Sequence, residues 1–216
     1  AKGKYVAHES LPANTHSHTF HENLLYDIIA IGASTGGPGA IEYIVGNLPN
    51  NFPLPVVIVQ HMPERFIELF AERLNSKGAI QVKVAQKGES VKDGIAYLAP
   101  GSCNLKIETS IVSGEPIFIY ADKLYKEYNY PSVDCLFLSV AKMYGQRALA
   151  VIMTGMGRDG TEGIVEIKKR GGLTLGQDES SSVVFGMAKS AQQAGAIDQL
   201  IKLRDIPGYL VGCLSE

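Results

Sequence analysis

The stretch that decides the fold is Asp27-Ile28-Ile29-Ala30-Ile31-Gly32-Ala33-Ser34-Thr35-Gly36-Gly37-Pro38-Gly39-Ala40. Its first half is an almost continuous apolar run, which predicts a short strand covered on both faces of a sheet. Its second half is rich in glycine, which allows a tight turn, and Pro38 suits the first turn of a helix. The stretch therefore predicts a buried strand, a turn that carries Ser34 at its tip, and a helix.

Such a turn can hold a nucleophilic serine, or it can bind a phosphate through its bare N–H groups. Residues 32–36 have the Gly-x-Ser-x-Gly pattern of a nucleophile elbow, whereas the Gly-x-Gly-x-x-Gly spacing of a dinucleotide-binding turn is missing. The pattern favours a hydrolase. A non-catalytic Rossmann-like nucleotide- or phosphate-binding module is the alternative, and Ser34 could also be no more than a helix cap.

The composition narrows the classes of partner and compartment. A net charge of −2 lacks the excess of basic residues that is typical of nucleic-acid-binding proteins. No apolar run is long enough to cross a bilayer. The three cysteines are widely spaced, which indicates reduced thiols in a cytoplasmic protein and neither a disulfide framework nor a metal site. We therefore expect no nucleic-acid partner, no membrane insertion, no metal and no cofactor.

Beyond the first strand, apolar strand patterns alternate with helical patterns. The strands are expected at 55–60, 80–85, 148–153 and 173–177, with helices between and after them. Residues 94–120 have short alternating runs broken by Pro-Gly and Ser-Gly, which predicts an antiparallel hairpin addition. The alternation predicts an α/β fold: a doubly wound, mostly parallel sheet with helices on both faces, in three α/β/α layers. Residues 1–24 are polar and predict a flexible tail or interdomain linker before a domain at 25–216.

In such folds the working site lies beyond the carboxyl ends of the strands. Ser34, the segment 60–63 and the loop 154–160 each follow a predicted strand. His61 is the one histidine after residue 24, so it is the candidate base for Ser34. A carboxylate should orient that imidazole. Asp159 is the first choice and Asp134 the alternative, although each could merely begin a helix.

Seven segments carry a family resemblance. They are residues 31–37, 60–63, 70–74, 99–101, 131–134, 154–160 and 184–187. In this order they closely resemble the catalytic domain of the bacterial chemotaxis receptor methylesterase family, CheB. The resemblance implies a Ser-His-Asp triad in which the nucleophile is Ser34, the base His61 and the carboxylate Asp159. It also associates oxyanion stabilisation with the backbone N–H of Met156, to which we add the N–H of Thr35 at the helix N-terminus.

The implied reaction is the hydrolysis of glutamate γ-methyl esters on the cytoplasmic helices of methyl-accepting chemotaxis receptors, which releases methanol. Deamidation of receptor glutamines is a second reaction that the resemblance assigns to the same site. Members of the family carry an N-terminal receiver domain, where this sequence has only residues 1–24. We therefore expect a receiver domain to be a partner absent from this chain.

Overall fold

The computed structural model describes residues 24–122 and 130–214. The tail predicted over residues 1–24 lies outside the described residues apart from Leu24, so that prediction stays a prediction. The strands are β1 (Ile28–Ala33), β2 (Val56–Gln60), β3 (Gln81–Val84), β4 (Ile95–Leu98), β5 (Asn104–Thr109), β6 (Pro116–Ala121), β7 (Ala148–Ile152), β8 (Leu173–Gln177) and β9 (Gln199–Ile201). The helices are α1 (Gly37–Gly46), α2 (Glu64–Lys77), α3 (Val133–Tyr144), α4 (Thr161–Lys169), α5 (Met187–Gln193) and α6 (Ile206–Gly212).

Seven strands form one parallel sheet in the order β3-β4-β2-β1-β7-β8-β9. All six residues of the central strand β1 are buried, because helices cover both faces of the sheet. Ile29 and Ile31 pack in the core cluster that includes α1, α2 and α6, whereas Ile28 and Ala30 pack in the cluster that includes α3, α4 and α5. The predicted doubly wound, three-layer fold is confirmed.

The predicted hairpin is confirmed in part. β5 and β6 pair antiparallel as a separate two-stranded sheet, which is tied to α3 by the 3.0 Å hydrogen bond from the Ile107 N–H to Ser139 Oγ. The expectation that the hairpin begins near residue 94 is wrong. β4 is a parallel strand between β3 and β2, and Ala96, Tyr97 and Leu98 are fully buried there.

The sequence patterns also missed β9, which has only three residues and pairs with β8 at the edge of the sheet. The predicted helices and the other predicted strands are present, with ends that differ by at most two residues. Within the described ranges, none of the helices has the length and apolar character needed to span a membrane.

Candidate active site

Three loops meet at the carboxyl edge of the sheet, because β2, β1 and β7 are neighbours there. Ser34 directly follows β1, His61 directly follows β2, and Asp159 lies in the loop between β7 and α4. The structure therefore brings together the three loops that the sequence predicts to share a site.

Ser34 is held between the turn that precedes α1 and the loop that follows β7. Its N–H donates to the carbonyl oxygen of Thr154 at 3.0 Å, and its own carbonyl oxygen accepts from the Gly37 N–H at 2.8 Å. A Cβ at Gly155 would lie 2.7 Å from Ser34 Cβ, so only glycine lets the two loops approach this closely. The backbone of Ser34 is thus fixed, while its half-buried hydroxyl makes no hydrogen bond within residues 24–122 and 130–214.

His61 and Asp159 are in direct contact although 98 residues separate them along the chain. The imidazole Nε2 lies 2.7 Å from Asp159 Oδ2, and the two side chains are 13% and 1% exposed. An ionised Asp159 can only accept a hydrogen bond, so Nε2 carries the proton and donates it. Nδ1 is therefore the ring nitrogen that can take up a proton. The tautomer of His61 is thereby set by its carboxylate partner.

Asp159 is surrounded by hydrogen-bond donors from the start of α3. Oδ1 accepts from Ser132 Oγ at 2.9 Å and from the Asp134 N–H at 3.0 Å, and Oδ2 accepts from the Val133 N–H at 2.7 Å. Burial alone would raise the pKa of Asp159, but the hydrogen bonds from His61 and from these N–H groups lower it below its ordinary value. Asp159 therefore stays ionised beside the imidazole.

Asp134, the alternative partner for His61, points to a different helix. Its Oδ1 accepts from the Gly163 N–H in the first turn of α4 at 2.8 Å. Burial raises the pKa of Asp134 to about 6, against the Gly163 hydrogen bond and with the nearby charge of Asp159 adding to the rise. Each carboxylate accepts N–H groups from the first turn of the other segment's helix: Asp159 from α3, and Asp134 of α3 from α4.

The two N–H groups expected to hold an oxyanion flank Ser34. Thr35 is the next residue along the turn, and Met156 follows Gly155, which touches Ser34. Neither N–H has an acceptor in the described part of the chain. An oxyanion site requires N–H groups that have no acceptor within the protein.

Two contributors to the site were not predicted. Ser132 Oγ donates a hydrogen bond to Asp159, and the sequence signal for its segment, 131–134, is the family resemblance. Gln60 is buried at the end of β2, and its Nε2 donates to the carbonyl oxygens of both Ser34 and His61 at 3.0 Å. Gln60 lies at the end of an apolar strand and within segment 60–63 of the family resemblance, but neither signal indicates its bonds to two backbone carbonyl groups. Among the described residues, no three His, Cys, Asp or Glu side chains come together as metal ligands.

Comparison with known proteins gives a consistent result. The family model for the CheB methylesterase matches residues 29–210. The protein-glutamate methylesterase/protein-glutamine glutaminase of Pyrococcus abyssi is 43% identical over 183 residues, which are 85% of this chain and 49% of that protein. A protein of the same name from Saccharophagus degradans is 43% identical over 187 residues, which are 87% of this chain and 50% of that protein. The chain thus spans about half the length of these curated relatives.

A solved structure extends the similarity to the fold. The crystal structure of the Thermotoga maritima CheB methylesterase catalytic domain superposes with a TM-score of 0.83 at 40% sequence identity. The match covers 87% of this chain and 98% of that domain. The fold therefore has a counterpart of known structure.

Proposed function

The chain belongs to the CheB methylesterase family, and on this premise we propose that it is the catalytic domain, over residues 25–216, of a cytoplasmic protein-glutamate methylesterase. The substrate is a glutamate γ-methyl ester on a cytoplasmic helix of a methyl-accepting chemotaxis receptor, and the product is methanol. Deamidation of receptor glutamines is a second reaction of the same site, since the curated relatives carry both activities in their names. A receiver domain is the proposed regulatory partner, on the family resemblance alone.

The mechanism is acyl transfer through Ser34. His61 Nδ1 takes the proton of the Ser34 hydroxyl while Oγ bonds to the ester carbonyl carbon. Asp159 holds the Nε2–H and stabilises the imidazolium that forms. The N–H groups of Thr35 and Met156 hold the oxyanion. The bond to the methoxy oxygen then breaks, and the imidazolium returns the proton so that methanol leaves.

Hydrolysis of the glutamyl-enzyme repeats the same steps with water. His61 takes a proton from the water as its oxygen attacks the acyl carbon, and Ser34 leaves with the proton returned by the imidazolium. In deamidation the leaving group is ammonia in place of methanol. In this proposal both reactions use the same residues.

The site is open, which suits a substrate presented on a folded helix. Met156 and Val183, on the loops beside Ser34, are 74% and 71% exposed. A Cβ at Gly36 would lie 2.5 Å from Val183 Cβ, so Val183 adjoins the turn that carries the nucleophile. A side-chain ester can reach such a site without unfolding the helix that bears it.

The observation that carries the proposal is the 2.7 Å contact of His61 with Asp159 beside the Ser34 turn. The test is methanol release from methylated receptor membranes by the parent protein and by Ser34→Ala and His61→Ala at matched folding. We expect each substitution to lower the rate by about 10⁴-fold or more, since triad members act as a unit.

Ser76→Ala is the matched control, because Ser76 is an exposed serine near the end of α2 whose Oγ, among the described residues, donates a hydrogen bond only to the Arg73 carbonyl oxygen. It should leave methanol release unchanged. Near-parent activity in folded Ser34→Ala protein would overturn the assignment of the nucleophile.

A further inference from the structure

Gln60 joins the backbones of Ser34 and His61 at the point where the sheet ends. Ala33 and Gln60 are the last register partners of β1 and β2. The last backbone hydrogen bond between the two strands runs from the His61 N–H to the Ala33 carbonyl oxygen at 3.1 Å. Beyond this hydrogen bond, β1 and β2 have no further register partners in the described part of the chain. Here the Gln60 carboxamide connects the two segments, because Nε2 donates hydrogen bonds to the Ser34 and His61 carbonyl oxygens at 3.0 Å each.

The orientation of this carboxamide is fixed by the two hydrogen bonds that Nε2 donates. Turning the amide over would place Oε1 against two carbonyl oxygens, which cannot donate to it. As it lies, Oε1 is buried and has no hydrogen-bond partner in residues 24–122 or 130–214. It rests against the Gly37 backbone, where a Cβ would lie only 2.0 Å from it.

A buried amide oxygen without a partner is unfavourable for folding. An apolar side chain at this position would avoid that cost but would not connect the two carbonyl groups. The hydrogen bonds that Gln60 does make therefore go to Ser34 and His61, the two residues whose relative position the chemistry depends on.

We propose that Gln60 is a positioning residue, whose carboxamide sets the separation at which the Ser34 hydroxyl and the His61 imidazole exchange a proton. The proposal rests on the proposed function, because it requires Ser34 and His61 to be nucleophile and base. Gln60 acts only through the backbones of these two residues and does not touch the ester.

The decisive variant is Gln60→Glu, which keeps the size of the side chain and changes its donors. The ionised carboxylate has no donor and repels both carbonyl oxygens, whereas the protonated carboxyl regains one donor. Burial raises the pKa of the introduced carboxyl, so the protonated form persists to higher pH than for an exposed glutamate. His61 and Asp159 are the same in parent and variant, so the ratio of variant to parent activity at each pH reports the introduced carboxyl.

In mildly alkaline buffer we expect kcat of Gln60→Glu to fall about 10²-fold with little change in KM, as for a misplacement of catalytic groups. The ratio of variant to parent activity should rise as the pH is lowered. A second readout is the rate at which a fluorophosphonate labels Ser34, since this reaction also requires His61 to take the hydroxyl proton but needs no receptor. It should fall with kcat.

Gln60→Asn provides a second variant in case the carboxylate prevents folding. It keeps the amide but is one methylene shorter, so it cannot reach both carbonyl oxygens, and an intermediate loss of labelling is expected. Asn47→Asp is the control, because Asn47 Nδ2 donates to the Tyr43 carbonyl oxygen at the exposed end of α1, far along that helix from the turn. It makes the same amide-to-carboxylate change and should label like the parent.

Parent-like kcat and labelling in folded Gln60→Glu would overturn the proposal. So would a loss that follows the fraction of folded protein and does not recover at lower pH, because that is the result of a purely structural role. Failure of the proposed function looks different, since the parent protein itself would then neither release methanol nor react at Ser34.

Discussion

Asp159 and Asp134 are buried carboxyl groups whose surroundings move their pKa values in opposite directions. Asp159 accepts hydrogen bonds from His61 and from the start of α3, which lower its pKa against the effect of burial. For Asp134 burial dominates, and its pKa rises from 3.8 to about 6. The two residues should therefore give the stability of the fold opposite dependences on pH.

The substitution Asp159→Asn tests the first of these contributions. A folded-state pKa below the unfolded value adds stability that is present above about pH 4 and is lost as the pH falls through the folded value. The parent protein should lose this contribution in acid, and the variant should not. Activity should fall about 10⁴-fold, because the amide no longer selects the imidazole tautomer that a base needs. Denaturant unfolding at several pH values and methanol release measure the two effects.

Asp134→Asn is the matched variant, with the opposite sign. The pKa of Asp134 is raised from 3.8 in the unfolded chain to about 6 in the folded protein. As the pH rises through this window, the unfolded state loses its proton first, so the parent protein loses about 3 kcal/mol of stability. The variant should lack this fall. It should keep activity within about tenfold, because Asp134 donates to Asp159 through its backbone N–H, which asparagine retains. Equal inactivity of the two variants would contradict this division of roles.

At the scale of elements, α3 and α4 pack closely because a glycine lies between them. A Cβ at Gly163 in α4 would lie 2.4 Å from Phe137 Cβ and 3.2 Å from the Leu138 nitrogen in α3. The first turns of the same two helices donate N–H groups to the two carboxylates, α3 to Asp159 and α4 to Asp134. Their separation is therefore coupled to the position of the carboxylate that holds His61.

Gly163→Ala should destabilise the protein by about 1–3 kcal/mol, as overpacking of a tight contact does. Alanine favours a helix over glycine by about 1 kcal/mol, but the clash involves atoms close to the α3 backbone that cannot turn aside. Gly208→Ala in α6 is the control, since nothing lies within 4 Å of a Cβ there, and it should be neutral or stabilising by about 0.4–1 kcal/mol. Denaturant midpoints that move equally for both variants would contradict the packing argument.

The elements that the sequence predicted well are those with long, regular apolar patterns. β1, β2 and β7 are fully buried runs, and their pattern alone indicates strands in the interior of a sheet. The segment Ile95–Leu98 is a run of the same kind but short, and the turn residues after it suggested a hairpin. Whether such a strand pairs parallel or antiparallel depends on distant neighbours, so its own residues could not decide it.

The site was predictable as a set of loops but not as a set of contacts. The positions of Ser34, His61 and Asp159 after three strands placed them at one edge of the sheet, because parallel strands share that edge. The sequence patterns favoured Asp159 over Asp134 but could not show which of the two contacts His61, since both stand near the start of a helix. That choice depends on side-chain directions, and so does the bond of Gln60 to two carbonyl oxygens.

At the scale of the whole molecule, β1 joins two hydrophobic cores. One core includes Ile44 of α1, the other includes Ile164 of α4, and both side chains are fully buried. Alternate residues of β1 enter alternate cores, so neither core can lose its contacts without disturbing the strand that also supports the other. Ser34 follows this strand directly, beyond both cores.

Matched substitutions on the two faces test this coupling. Ile44→Ala and Ile164→Ala should each lower the free energy of unfolding by about 2–5 kcal/mol, the usual range for such a truncation in a core. Because β1 belongs to both cores, each variant should still unfold in a single transition, with the same midpoint by far-ultraviolet circular dichroism and by tyrosine fluorescence. At temperatures where both variants are folded, kcat should stay near the parent value, since the catalytic groups lie at the edge of the sheet. Two separated transitions in either variant would show that the faces unfold independently, and that β1 does not unite them.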